Sequence, residues 1–194
     1  GTKTSITNVV STTGVVATDT AGVGKTRSGL AAAGYGGDKA IFGFGIHNTG
    51  FPYENITNLV SNAGVVATDT TGVGTARFDL TASSYGNGKA IFAYGDGGGY
   101  NAHFSNLVNN SGVVASDTTG VGTDRSSLAA TGYGGDKAIF GFGAIASSPY
   151  RTNVTNLVSN AGVIASDTTG VGTARSSLAA AGYGSTGQAI FGFG

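Results

Sequence analysis

The chain has no cysteine, no methionine and no tryptophan, only two prolines, and charged side chains at 10% of its 194 residues. Without cysteine there can be no disulfide, no thiolate metal site and no cysteine nucleophile. With so little proline, and with its 36 glycines in no fixed triplet, the chain cannot wind as collagen. Ten Lys and Arg balance ten Asp and Glu, and the basic residues are spread out rather than clustered. A nucleic-acid partner is therefore not expected, because phosphates need a basic patch to neutralise them. No apolar run approaches the roughly 20 residues of a membrane-spanning helix, so no membrane partner is expected either. Apolar residues still make up 40%, which supports a packed core rather than a disordered polar chain. A surface of Thr, Ser, Asn and Gly with few charges suits an extracellular or virion setting better than a cytoplasmic one.

What the sequence does have is repetition. Asn8, Asn58, Asn106 and Asn156 recur at intervals of 50, 48 and 50 residues. An Asp follows each Asn eleven residues later (Asp19, Asp69, Asp117, Asp167). An Arg follows each Asp by eight (Arg27, Arg77, Arg125, Arg175), and a Tyr follows each Arg by eight (Tyr35, Tyr85, Tyr133, Tyr183). Every insertion or deletion falls outside this frame, the mark of a repeated supersecondary unit joined by variable connectors. The units run approximately 4–45, 54–95, 102–143 and 152–194 within a single domain, 1–194.

Each unit reads as four short strands. Leu30–Tyr35 and Lys39–Phe44 flank a Gly-Gly-Asp turn, a strong hairpin signal. Ile56–Ser61 and Gly64–Thr68 flank Asn62 and Ala63 as a second hairpin. The Thr-Thr-Gly-Val-Gly-Thr that follows is a connector, and no stretch has the period and composition of a helix. Lys39–Phe44 is apolar on both faces, so its sheet must be covered on both sides. In a chain without helices only other sheets can do that. The expected architecture is all-β, a β-propeller of four-stranded antiparallel blades with four repeats per chain. The Ala-rich strand (Ala31–Gly34, Ala179–Gly182) is expected where blades converge, because its side chains are the smallest.

Thr173-Ala-Arg-Ser-Ser-Leu178, followed by a small-residue strand, a Gly-rich turn, an aliphatic-aromatic strand and Gly-Phe-Gly, resembles the kelch repeat. The order of Arg, inner strand, turn, Gly-rich second strand and two outer strands is similar throughout residues 4–194, although the kelch Trp has no counterpart here. The wording Ala-Ala-Gly-Tyr-Gly-Gly-Asp-Lys-Ala-Ile-Phe-Gly also resembles repeats of environmental and bacteriophage-encoded proteins. The chain opens with two outer strands (4–18) and closes with two inner ones (178–193). The expected closure is a blade made from both ends, residues 4–18 completing the last hairpin and locking a four-bladed ring. The alternative is a dimer in which two chains complete an eight-bladed ring.

Little in the sequence carries chemistry. Ala21-Gly-Val-Gly-Lys-Thr26 lacks the first Gly of a phosphate loop, having Asp19 there. Ser116–Thr123 matches the Asp-box of sialidase-like propellers in neither spacing nor closing aromatic. The repeated Asp and Arg are expected to be structural, each Asp accepting backbone N–H groups at its turn and each Arg pairing with a neighbouring blade. No metal-ligand cluster and no cofactor motif is present. His47 and His103 stand in connectors without repeated counterparts. Glu54, Asp79, Asp96 and Asp124 are too scattered to form a glycosidase pair.

The repeats differ in the connectors Ile46–Asn55, Asp96–His103 and Ala144–Asn153. Their candidate binding residues are His47, Phe51, Tyr53, Tyr100, His103, Tyr150 and Arg151, an aromatic and polar set that suits glycan or protein recognition from loops on a rigid scaffold. The expectation is a non-enzymatic scaffold or binding module, such as a phage or cell-surface structural protein. The alternatives are a polysaccharide hydrolase or lyase of propeller type, and a repeat segment with only a structural, self-assembling role.

Overall fold

Glycine places the hairpins. A computed structural model describes residues 3–47 and 52–194. In it the turn after Tyr35 uses Gly36 and Gly37 at φ 64° and 87°, a left-handed backbone that glycine adopts without cost from a Cβ. The hairpins so formed are β1 (Ala31–Tyr35) with β2 (Lys39–Gly43), β4 (Thr81–Tyr85) with β5 (Lys89–Ala93), β7 (Ala129–Tyr133) with β8 (Lys137–Gly141), and β10 (Ala179–Tyr183) with β11 (Gln188–Gly192). A third antiparallel strand joins the first three hairpins: β3 (Thr57–Val60), β6 (Ser105–Val108) and β9 (Thr155–Val158). The register is the same each time, Ile41 facing Leu59, Ile91 facing Leu107 and Ile139 facing Leu157. The protein is thus all-β, with four sheets of three, three, three and two strands and no helix among the described residues.

The fourth strand expected in each unit is not a regular strand. Residues 66–70 meet β3 only through the bridges Val60↔Val66 and Thr57↔Thr70. Three steps along β3 match four along its partner, so an extra residue bulges out and the ladder breaks. Asn58 fills the gap, its amide nitrogen donating to the Ala67 carbonyl at 3.1 Å and to Asp69 at 2.9 Å. Asn106 and Asn156 do the same in the next two units.

Successive sheets stack in a row. β1 lies beside β4, β4 beside β7 and β7 beside β10, and no comparable contact joins β10 to β1. The Ala-rich strands are the ones that approach across units: a Cβ on Gly34 would stand 3.3 Å from the Ser84 hydroxyl. Backbone bonds run through the stack at two levels. At the hairpin tips Gly36 donates to Gly88, Gly86 to Asp136 and Gly134 to Gly187. At the strand roots Asp79 donates to Gly29, Ser127 to Asp79 and Ser177 to Ser127, each at 2.8 Å. Between the sheets lie two cores, one around Ile41, Phe44, Phe92 and Val108, the other around Ile91, Tyr94, Phe140 and Val158. In β5 both Ile91 and Phe92 are fully buried, whereas in β11 Ile190 is 57% exposed. Coverage on both faces therefore holds for inner sheets and fails at the end of the row.

Among the described residues the expected closing blade does not form. β10–β11 stands as a two-stranded sheet, and among the described residues those at 4–20 form β-bridges only with one another, Thr7↔Thr20 and Val10↔Val16. Each interface repeats the one before it, which leaves the last hairpin three interfaces away from the first.

Candidate functional site

Two features recur in register along the row: a buried polar clamp at the root of each three-stranded sheet and a connector at its edge. The clamp starts from the arginines. Arg77 and Arg125 are fully buried, and Arg27 nearly so. Arg77 donates to the Tyr94 carbonyl at 2.7 Å, the Thr75 carbonyl at 2.9 Å and the Asn106 side chain at 2.7 Å. Arg27 and Arg125 donate in the same way to Asn58 and Asn156. Three of the four repeated guanidinium groups also lie over an aromatic ring of the preceding unit, Arg77 on Phe44 at 4.3 Å, Arg125 on Tyr94 at 4.5 Å and Arg175 on Phe142 at 4.0 Å. This stacking is favourable for a cation withdrawn from water. Burial still pushes the Arg77 pKa down to about 10, against the pull of Asp117.

The aspartates complete the clamp. Asp117 accepts from the Thr75 N–H at 2.9 Å and hydroxyl at 2.7 Å, and Asp167 accepts from Thr123 at 3.0 and 2.6 Å. Asp69 accepts the Lys25 N–H at 3.0 Å. Burial works against ionisation of Asp117 and Asp167, but the hydrogen bonds from Thr and Asn outweigh it and hold both carboxyls below their ordinary value. Among the described residues Asp19 bonds only Asn8. The groups of the clamp bond chiefly one another, as a structural device would, and only the Arg125 and Arg175 Nε atoms are buried without a hydrogen-bond partner among the described residues.

The repeated Asn was a member of this clamp that sequence reasoning passed over. The repeats align on it, and a polar residue held eleven positions before each Asp, directly ahead of two apolar residues, signals a buried bond. Phe44, Tyr94, Phe142 and Phe193 were missed likewise. They sit at φ 62–65°, a region bulky side chains rarely adopt, and this turn carries the first three rings under the next arginine.

The connectors all join a second strand to a third, so the stacking sets them side by side along one edge. Tyr53 stacks on Phe78 (5.4 Å between centroids, 7° between planes) and lies against Gly98 of the next connector. Asn101 in turn donates to the Ala144 carbonyl of the connector after that, at 3.2 Å. Tyr53 is therefore partly covered. His47 donates its Nδ1 hydrogen to the Thr26 carbonyl at 2.9 Å, and His103 is tied to Asp124 and packs on Phe104. Phe51 lies outside the described residues. Tyr100 and Tyr150 project instead, 48% and 64% exposed, and exposed Arg151 leans on Ser176 at 3.3 Å.

No protein-family model and no curated protein matches this chain. The chemistry of the edge must be read from its own groups. Its carboxylates are engaged: Glu54 with Lys25 at 2.9 Å, Asp124 with His103, and Asp96 with the Gly98 N–H at 2.6 Å. Among the described residues no three His, Asp or Glu come together as metal ligands. The edge offers flat aromatic faces, amide groups and the exposed guanidinium of Arg151, which suits stacking and hydrogen bonding.

Proposed function

We propose that this chain is a non-enzymatic, kelch-like scaffold whose connector edge binds glycans. Its three-stranded sheets are read as propeller-type blades, with the bulged segment of each unit standing in for the fourth strand. The observation that carries the reading is the row of connectors, fixed to one another through Tyr53, Gly98, Asn101 and Ala144, which holds exposed Tyr100 and Tyr150 on a rigid support. Exposed tyrosines stack on the apolar faces of sugar rings, and neighbouring amide and guanidinium groups bond their hydroxyls. Rigid aromatics lose little entropy on binding. A surface poor in charge and rich in Thr, Ser and Asn supports an extracellular or virion setting.

The test is a glycan array with the intact chain, followed by titration calorimetry on Tyr100→Ala and Tyr150→Ala. Each substitution is expected to weaken binding of a glycan hit by about tenfold or more, equivalent to roughly 1.4 kcal/mol, with the melting temperature unchanged. Retention of a protein ligand but no glycan would replace the ligand class. Turnover of a polysaccharide abolished by Asp96→Asn or Glu54→Gln would overturn the non-enzymatic reading.

A further inference from the structure

The two ends of the row are unfinished in complementary ways, and we propose that a second copy of the chain docks head to tail. Hairpin β10–β11 of one copy completes the sheet begun by residues 7–20 of the next. This is independent of what the connector edge binds.

Four contacts recur inside the chain, and each is left half-made at both ends. The first is the clamp. Arg27, Arg77 and Arg125 donate to Asn58, Asn106 and Asn156. Among the described residues Arg175 donates only to the carbonyls of Thr173 and Phe191, at 3.2 and 3.5 Å, while Asn8 at the other end holds Ala17 and Asp19 but meets no arginine. The second is the capped aspartate. Gly24, Gly74 and Gly122 each lie against the aspartate of their own sheet, but a Cβ on Gly172 would meet nothing within 4 Å, and exposed Asp19 lacks the N–H donor that Asp69, Asp117 and Asp167 receive.

The third contact seats an aromatic ring on a glycine. The Phe92 and Phe191 rings come within 2.8 Å of a Cβ built on Gly43 and Gly141. Gly192, the same position in β11, has nothing within 4 Å, and the ring that belongs there is Phe42, which lines an open groove of about 420 Å³ at the N-terminal end together with Ile6, Asn8, Arg27 and Ala32. The fourth is the arginine over an aromatic. Phe44, Tyr94 and Phe142 are buried under Arg77, Arg125 and Arg175, whereas Phe193 is 94% exposed and Arg27 has no ring above it among the described residues.

In each contact one half stands at the first sheet and the other at the last. A second copy brings all four together with geometry the chain already uses two or three times. It also covers Val9, Val10 and Ile190, which are 45%, 59% and 57% exposed, and gives the free edge of β11 a partner. Applying the register of the inner sheets, Ile190 faces Val9 and Phe191 faces Asn8. The contact uses different patches on the two copies, so it is heterologous and generates a closed ring or an open filament.

The chain contains no cysteine, so a double variant Val9→Cys, Ile190→Cys reports on this pairing directly. Oxidation of the full chain at micromolar concentration is expected to give covalent dimers or a ladder on a denaturing gel. A circularised single chain, recognised by its faster migration, would overturn the proposal in favour of closure within one molecule. Free thiols would overturn it outright. Independently, Gly192→Val places side-chain atoms where Phe42 must dock, at a position whose Cβ meets no described atom of its own chain within 4 Å. Light scattering is expected to show the mass of two or more chains for the unmodified protein, and at least a tenfold weaker association for this variant at an unchanged melting temperature. A concentration-independent single-chain mass for the unmodified protein would refute the docking.

Discussion

Asn106 holds three groups at once: it donates to Ala115 and Asp117 and accepts from Arg77, with no exposure to water. Replacing it with alanine strips a buried guanidinium of its amide acceptor. A hydrogen bond to a charged group is worth about 1.5–3 kcal/mol, and urea denaturation of Asn106→Ala is expected to show a loss of that size. Asn8→Ala, at the exposed end where no arginine arrives, should fall within about 0.5 kcal/mol of the parent, measured on the single chain. Acid acts on the same clamp. Asp117 and Asp167 titrate below their ordinary value in the folded protein, so the folded state holds fewer protons than the unfolded one. Their contribution is complete above the unfolded pKa of about 3.9 and is lost as pH falls through the lower folded value. Chemical denaturation at a series of pH values should show this acid limb, and Asp117→Asn with Asp167→Asn should flatten it while lowering stability near neutrality.

At the level of the element, burial on both faces separates inner strands from outer ones. Phe140 in β8 is fully enclosed and packs edge-on against Tyr94 at 5.5 Å. Phe140→Ala is expected to cost about 3–5 kcal/mol, whereas Phe191→Ala, in a strand covered from one side, should cost clearly less. Thermal or urea unfolding of the two variants checks the difference. The hairpins were legible because local signals agreed: Gly-Gly at a tight turn, small residues before it, Ala-Ile-Phe after it. The bulged segment was not. Val65, Val66 and Ala67 have strand composition, but register depends on how many residues span the distance between bridges, and Asn58 decides that by taking the ladder bonds for its side chain. The edge was half legible. Connector composition pointed to Tyr100 and Tyr150, but whether Tyr53 or His103 was free depended on partners distant in sequence, Phe78 and Asp124, which no local pattern reveals.

For the whole molecule, repetition with a constant frame announced stacked sheets, but not whether the row would close, because identical interfaces suit an open row and a ring alike. The backbone ladder at the strand roots, from Gly29 through Asp79 and Ser127 to Ser177, has a consequence for how such a chain changes in length. Every rung is main chain to main chain and each clamp joins an arginine to the same asparagine position of the following repeat, 29 or 31 residues on, so a cut at one arginine matches a cut at the next. Joining Arg77 directly to Ser126 removes one unit and leaves the rungs on either side able to meet. The shortened protein is expected to keep its β-sheet circular dichroism and to unfold cooperatively at a lower temperature, since stability in a row of this kind adds up over nearest neighbours. Loss of cooperative unfolding would show that the units are not interchangeable. Gene duplication or loss in whole-unit steps is, for this architecture, a small perturbation, and the near-identical wording of its four copies is the record such steps would leave.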